Sequence, residues 1–307
     1  MTTNMESILE DLNSTQKDYA KLSRQLNRMS GTVANLTKYV DTMEQRLGDR
    51  PQDITANDIM DPEANGEPKQ MPTQCQDVFE NGGMRFMGDY YIMIKPAGVP
   101  HAFKALCKMV NSSGWTVIQK RQDGSVDFYR TWEDYKRGFG SLEGEFWLGN
   151  DNIHYLTSQE DTMLRIDMED WSGKRFYAVY NHFRVDGPKH NYRLHVSGYQ
   201  GNAGDSLTSL WENHDGMPFS TKDKDNDGRF YDSCAQHYQG AWWFNNCFEA
   251  HLNGKYYHKG FHKNYFQRDG IQWNTIHMYS SLKAVLMMVK PADHPRNPTS
   301  NEVISDA

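Results

Sequence analysis

The chain has 307 residues, enough for one large domain with an extension, and its net charge of −7 argues against nucleic acid as a main partner, which would call for a basic excess. A mean hydropathy of −0.82 and the lack of a long apolar run argue against membrane insertion. Aromatic residues make up 13% of the chain, with 8 Trp and 17 Tyr, and point to a rigid packed core.

From Met5 to Leu47 apolar residues step alternately by three and four. Met5, Leu12, Tyr19, Leu26, Val33, Val40 and Leu47 occupy one seam position, and Ile8, Thr15, Leu22, Met29, Leu36 and Met43 the other. This seven-residue repeat, without Pro, predicts a coiled-coil stalk over residues 1–48 rather than a lone amphipathic helix. Such a stalk assembles the chain with copies of itself. The seam leaves strand number open, and no cysteine in it can lock chains covalently. Gly48-Asp-Arg-Pro51 breaks the helix, and residues 49–72, rich in Pro, Asn, Asp and Glu, read as a flexible linker.

Asn13-Ser-Thr, Asn35-Leu-Thr and Asn111-Ser-Ser are glycosylation sequons, and the first two fall on the solvent side of the stalk. They point to export. Met1-Thr-Thr-Asn-Met-Glu has neither the basic start nor the apolar core of a secretory leader, so the expectation is a chain whose true start lies further upstream.

Beyond residue 73 the pattern changes to short strands and turns. Gly114–Arg121 alternates as a strand and ends at Asp123-Gly124. Trp132–Phe139 reads as a short helix, and Leu164–Met168, Phe176–Tyr180 and Lys283–Val289 as strands. The fold class is α+β, without the strand–helix alternation of a doubly wound sheet. The cysteines are Cys75, Cys107, Cys234 and Cys247, none in a C-x-x-C pair, which fits disulfides and an oxidising compartment over zinc. Three pairings are open, the sequence-local one being the simplest. Asp223-Lys-Asp225-Asn-Asp227-Gly228 sets carboxylates on alternate residues, as hard oxygen-seeking Ca2+ requires. It is not an EF-hand, because the twelfth position is Cys234 in place of a bidentate Glu.

The runs Gly114–Trp132, Gly144–Asn150, Met168–Trp171, Gly201–Ser206, Phe219–Asp227, Gly240–Trp243 and Leu252–Gly254, with the four cysteines, resemble the fibrinogen C-terminal domain over residues 73–291. The layout is similar to angiopoietin-related proteins, and residues 292–307 are left as a disordered tail. No Gly-X-Y tract exists to suggest a ficolin. The resemblance implies local pairing of both disulfides and a parallel trimer. It also implies a structural Ca2+ held by Asp225 and Asp227 with backbone carbonyls near Phe230 and Asp232, although the stretch from Asp227 to Cys234 is one residue longer than in most relatives.

In several family members a pocket beside the calcium site recognises acetyl groups through aromatic walls, a cis peptide at the second cysteine and a His after it. Its counterparts here are Asn246-Cys247, Tyr238 and, more loosely, Tyr265, but Phe248 stands in place of the His. A phenyl ring packs on a methyl group and cannot hydrogen-bond a carbonyl, which weakens an acetyl-specific lectin. Trp242 and Trp243 read as core. Gln267-Arg268 stands where fibrinogens carry Tyr-Asp, so an incoming basic fibrin knob is disfavoured. No nucleophile elbow, P-loop or dinucleotide fingerprint occurs, and His258 and His262 lack the Glu of a zinc helix. The expectation is a secreted, non-enzymatic, multivalent binder of a cell-surface receptor or matrix protein. The alternative is an immune lectin for acetylated or other glycans.

Overall fold

A computed structural model of the chain describes residues 71–81, 87–110, 112–262 and 268–292. The predicted stalk, the linker up to residue 70, the tail from residue 293, Tyr265 and the sequon residues Asn13, Asn35 and Asn111 lie outside the described residues.

A single-turn helix α1 (Cys75–Glu80) is fixed at its start by the Asp77 carboxylate, which accepts from the Thr73 and Gln74 amides. Strands β1 (Gly88–Ile94), β2 (Phe103–Val110) and β3 (Ser113–Arg121) follow as an antiparallel meander. Helix α2 (Trp132–Arg137) begins at a capping box in which Thr131 and Asp134 satisfy each other's amides. It stops short of Phe139 because Gly138 adopts φ +92°, where an added Cβ would lie 2.6 Å from the Leu148 carbonyl oxygen. The short pair β4 (Phe139–Gly140) and β5 (Phe146–Trp147) joins β3, and helix α3 (Asn150–Ser158) leads to β6 (Thr162–Glu169), β7 (Arg175–Val185) and β8 (Leu194–Gly201).

After β8 regular structure is sparse: helix α4 (Cys234–His237), a two-stranded ribbon of β9 (Ala250–His251) and β10 (Gln272–Trp273), and finally β11 (Ala284–Pro291). That last strand returns to the middle of the main sheet, whose order is β1-β2-β3-β11-β6-β7-β8. It pairs antiparallel with both β3 and β6. β6 alternates buried and half-buried residues along its whole length, the mark of a sheet with one face on the core.

The core under that face is aromatic. Phe219 packs edge-on to Trp243 at 5.2 Å and lies 5.2 Å from Tyr135 and 6.0 Å from Trp147, so one ring from the loop-rich part is clasped by rings from α2 and β5. Trp242 and Trp243 are 0% and 1% exposed and belong to this core, as the sequence indicates. The loop-rich part is thus ordered by buried rings and side-chain-to-backbone hydrogen bonds. Trp243 Nε1, for example, donates to the Tyr192 carbonyl at 2.7 Å.

Both disulfides form between sequence-local partners, Cys75–Cys107 and Cys234–Cys247. The first ties α1 to β2. The second ties α4 to the loop preceding β9.

Candidate functional site: an acidic loop beside an aromatic cleft

The acidic loop is anchored at its base by the core and at its end by the second disulfide. Asn226 Nδ2 donates to the Phe219 carbonyl at 2.7 Å, and the Gly228 amide donates to the Asn245 carbonyl at 3.0 Å. The three carboxylates separate by role. Asp223 accepts from the Trp132 amide at 2.8 Å and the Thr221 hydroxyl at 2.8 Å, so it clips the loop to α2. Asp225 and Asp227 come together: the Asp227 amide donates to Asp225 Oδ1 at 3.3 Å. Asp227 also accepts from the Arg229 amide at 2.9 Å and the Cys234 amide at 2.8 Å. Burial, reinforced by the neighbouring Asp225, pushes the Asp227 carboxyl up to about 6. A cation between these carboxylates would remove that penalty.

The donor set fits a hard cation with limits. Among the described residues no group of three or more His, Cys, Asp or Glu side chains converges, so an ion here would complete its shell with carbonyl and water oxygens. Asp232 is engaged through its side chain, Oδ1 lying 2.6 Å from Arg229 Nε, which leaves only its carbonyl for such a role. The Phe230 side chain is 96% exposed and takes no part in the core.

Cys247 of the second disulfide and Arg229, just after the acidic loop, line an open cleft of 670 Å³. The Asn246–Cys247 peptide is cis, and the Asn246 amide donates to Glu212 Oε2 at 2.9 Å. Burial raises the Glu212 pKa, with a smaller contribution from Glu249. Phe248 forms part of the wall. Its ring is nearly buried, meets Tyr238 edge-on at 4.7 Å, and carries the Arg268 guanidinium 5.3 Å from its centre.

Tyr238, Asn246, Cys247 and Phe248 therefore share one cleft, as their sequence pattern suggests. Trp211, Arg229, Arg268, Met278 and Tyr279 also line it. Of these only Arg268 was singled out by its sequence. The Leu210-Trp211 pair, an apolar island in a polar stretch, was the available signal for Trp211, and the Phe230-Tyr231 pair marked the segment that begins at Arg229. Leu210, Trp211, Phe230 and Tyr231 are 99%, 85%, 96% and 98% exposed. Trp211 lines the cleft, and Phe230-Tyr231 directly follow Arg229, which lines it too. Single exposed apolar residues are ordinary, whereas several on segments that border one cleft mark a contact surface.

A last strand set in the middle of the sheet, a loop-rich part ordered by aromatic packing and a disulfide, and an acidic loop beside a cleft define a fibrinogen-type globular domain. The family model "Fibrinogen beta and gamma chains, C-terminal globular domain" matches residues 71–292, and the chain belongs to that family.

Among curated relatives, bovine fibrinogen-like protein 1 is 44% identical over 236 residues, covering 73% of this chain and 74% of its own length. Human angiopoietin-related protein 7 is 36% identical over 297 residues, 94% of this chain and 83% of its own. The solved fibrinogen-like globe domain of human ANGPTL2 superposes with a TM-score of 0.66 at 40% identity, covering 72% of this chain and 99% of that one. The lamprey fibrin D-dimer, complexed with the peptide ligand Gly-His-Arg-Pro-amide, gives 0.69 at 34% identity and 99% of both chains.

Proposed function

We propose that the chain is a secreted recognition protein. In this reading its fibrinogen-like domain binds a protein on a cell surface or in the matrix through the cleft at Cys247 and its apolar rim. The observation that carries the reading is the exposure of Trp211, which lines the cleft with Met278 and Tyr279, and of its chain neighbour Leu210, together with Phe230 and Tyr231, which directly follow the lining residue Arg229 in sequence. Large exposed aromatics of this kind are the usual anchors of protein interfaces.

Calcium at Asp225 and Asp227, with the carbonyls of Phe230 and Asp232, would hold the loop that presents Phe230 and Tyr231. Residues 1–48 would gather several domains, so that weak contacts add through avidity, with a parallel trimer as the proposed assembly. Glycans on Asn13, Asn35 and Asn111 and export to the extracellular space belong to the same reading. It is supported by relatives named as angiopoietin-related and fibrinogen-like proteins, and among the described residues no helix is long and apolar enough to cross a membrane. The fibrin relative holds a peptide, which favours a polypeptide partner here. No enzymatic step is proposed.

The test is binding of the labelled full chain to cells before and after surface proteolysis, beside a glycan array run with calcium and with chelator. Protease-sensitive binding that falls at least tenfold in W211S/Y231S supports the reading. Calcium-dependent array binding that acetate displaces would instead establish the lectin alternative, to which the aromatic Tyr238–Phe248 wall contributes. Absence of binding in both formats would sink the two together.

A further inference from the structure

The far end of the β7–β8 hairpin carries a concentration of cations on a chain whose net charge is −7. Arg184 on β7 stands directly opposite His195 on β8, so both side chains emerge on one face of the ribbon. Arg193, two residues before His195, continues the row, and the Gly187–His190 turn adds Lys189 and His190. All five of these side chains are exposed. His154 of α3 closes the other side of the resulting depression of 650 Å³, its Nδ1 bonded to the Val185 carbonyl at 2.8 Å.

The only carboxylate lining the depression is Asp186, and it is already shared. Its oxygens lie 3.4 Å from Arg184 and 2.9 Å from His195 Nε2. Asp161, beyond the depression, is paired with His182 at 2.9 Å, and Asp215 accepts the Val196 amide at 2.8 Å. Asp186 therefore orients two of the cations without cancelling the set: Arg184 and Lys189, with three imidazoles, line the depression against one carboxylate, and Arg193, which donates to the Gly216 carbonyl at 3.1 Å, stands outside it on the same face as His195.

We propose that this surface binds a sulfated polysaccharide chain. Two features select that class over an acidic protein. First, none of the large exposed apolar side chains of the described residues lies in the depression or along Arg184, Lys189, Arg193 and His195, so the aromatic anchors of a protein interface are missing there. Second, same-face residues along a strand are spaced by about 6.6 Å, which presents cations in a row suited to a linear polyanion. A guanidinium offers paired donors to sulfate oxygens as it does to phosphate. No residue lining this depression lines the cleft at Cys247, so the two surfaces can be occupied and disabled separately.

The experiment is surface plasmon resonance of the full chain on immobilised heparin. Wild type, R184S/K189S and a control K104S/K108S, altered on β2, are compared across a salt series, with folding checked by circular dichroism. The expected result is salt-sensitive binding whose affinity falls about tenfold in R184S/K189S and whose salt slope falls by about one to two, as fewer counterions are released. The control should be unchanged, and soluble heparin should compete where its desulfated form does not. Undiminished binding by a folded R184S/K189S, an equal loss in the β2 control, equal competition by desulfated heparin or by poly-glutamate, or no binding at low salt would each overturn the proposal.

Discussion

Arg121 and Glu145 face each other at 3.6 Å with their side chains 1% and 0% exposed, an ion pair sealed inside the domain. Glu145 accepts from the Gln122, Asp123 and Val126 amides, shaping the turn after β3. Arg121 donates to the carbonyls of Leu252 and Gly254 and lies 3.8 Å over the Phe128 ring. The pair therefore joins the sheet to the loop-rich part. Removing one partner leaves a buried charge uncompensated, so E145A or R121M should each cost about 3–5 kcal/mol in urea unfolding. A loss below about 1 kcal/mol would show that water reaches the pair.

Two buried histidines should govern acid sensitivity. His214 donates through Nδ1 to the Trp243 carbonyl at 2.7 Å and accepts the Ala250 amide at Nε2, and burial holds its pKa down at about 4. His251, also buried and near Arg121, is held down at about 3. Because the folded state resists protonation more than the unfolded chain, their contribution is complete above pH 6.5 and lost as pH falls toward 4 and 3.

Asp227 works in the opposite sense: its raised pKa means stability is lost as pH rises through about 6. Urea midpoints measured with chelator in a D227N background remove the opposing contribution of Asp227. They should drop from pH 7.5 to 5, with a shallower drop in H214Q. A flat profile would contradict the burial of these rings.

Calcium should stabilise the domain through Asp225 and Asp227. At a hundred times its dissociation constant a bound ion contributes about 2.7 kcal/mol, so calorimetry with calcium should show a higher melting temperature than with chelator. D225N/D227N should abolish the difference. An unchanged wild-type transition would reduce the loop to a solvated acidic turn.

Loss of the Cys234–Cys247 bridge should be felt at the site before the sheet. Its cysteines are 13 apart in sequence, and closing such a loop contributes roughly 3 kcal/mol. In C234S/C247S, hydrogen exchange should quicken over residues 227–247 while β6 and β7 stay protected. Uniform deprotection of the sheet would show that the bridge supports the whole domain.

Where local forces shape an element, it was legible. The alternation of Leu164–Met168 announced β6, and the short helix read over Trp132–Phe139 is present as Trp132–Arg137, each needing only neighbours in sequence. The strand around Phe176 runs further than its pattern suggested, from Arg175 to Val185. Its second half is defined by pairing with β8, which lies far from any local signal.

Strands β1 and β2 and helix α3, which has only Gly149 at its N-cap, carry weak local signatures and went unread. The cleft was half legible. Tyr238, Asn246, Cys247 and Phe248 follow a family pattern, but Trp211, Arg229, Met278 and Tyr279 meet them only through tertiary packing of irregular loops. The pairing of Asp225 with Asp227 is a contact between near neighbours in sequence, whereas the diversion of Asp223 to α2 depends on where Trp132 comes to lie.

The final strand, β11, sits between β3 and β6. While the chain is being made, the early meander and the β6–β8 group have no neighbour to share until residues 284–291 arrive. The sheet is therefore two unjoined fragments with open edges until β11 has been made. A stop codon a few residues before Ala284 would spare every residue of the acidic loop and the cleft, yet should leave no assembled domain to display them.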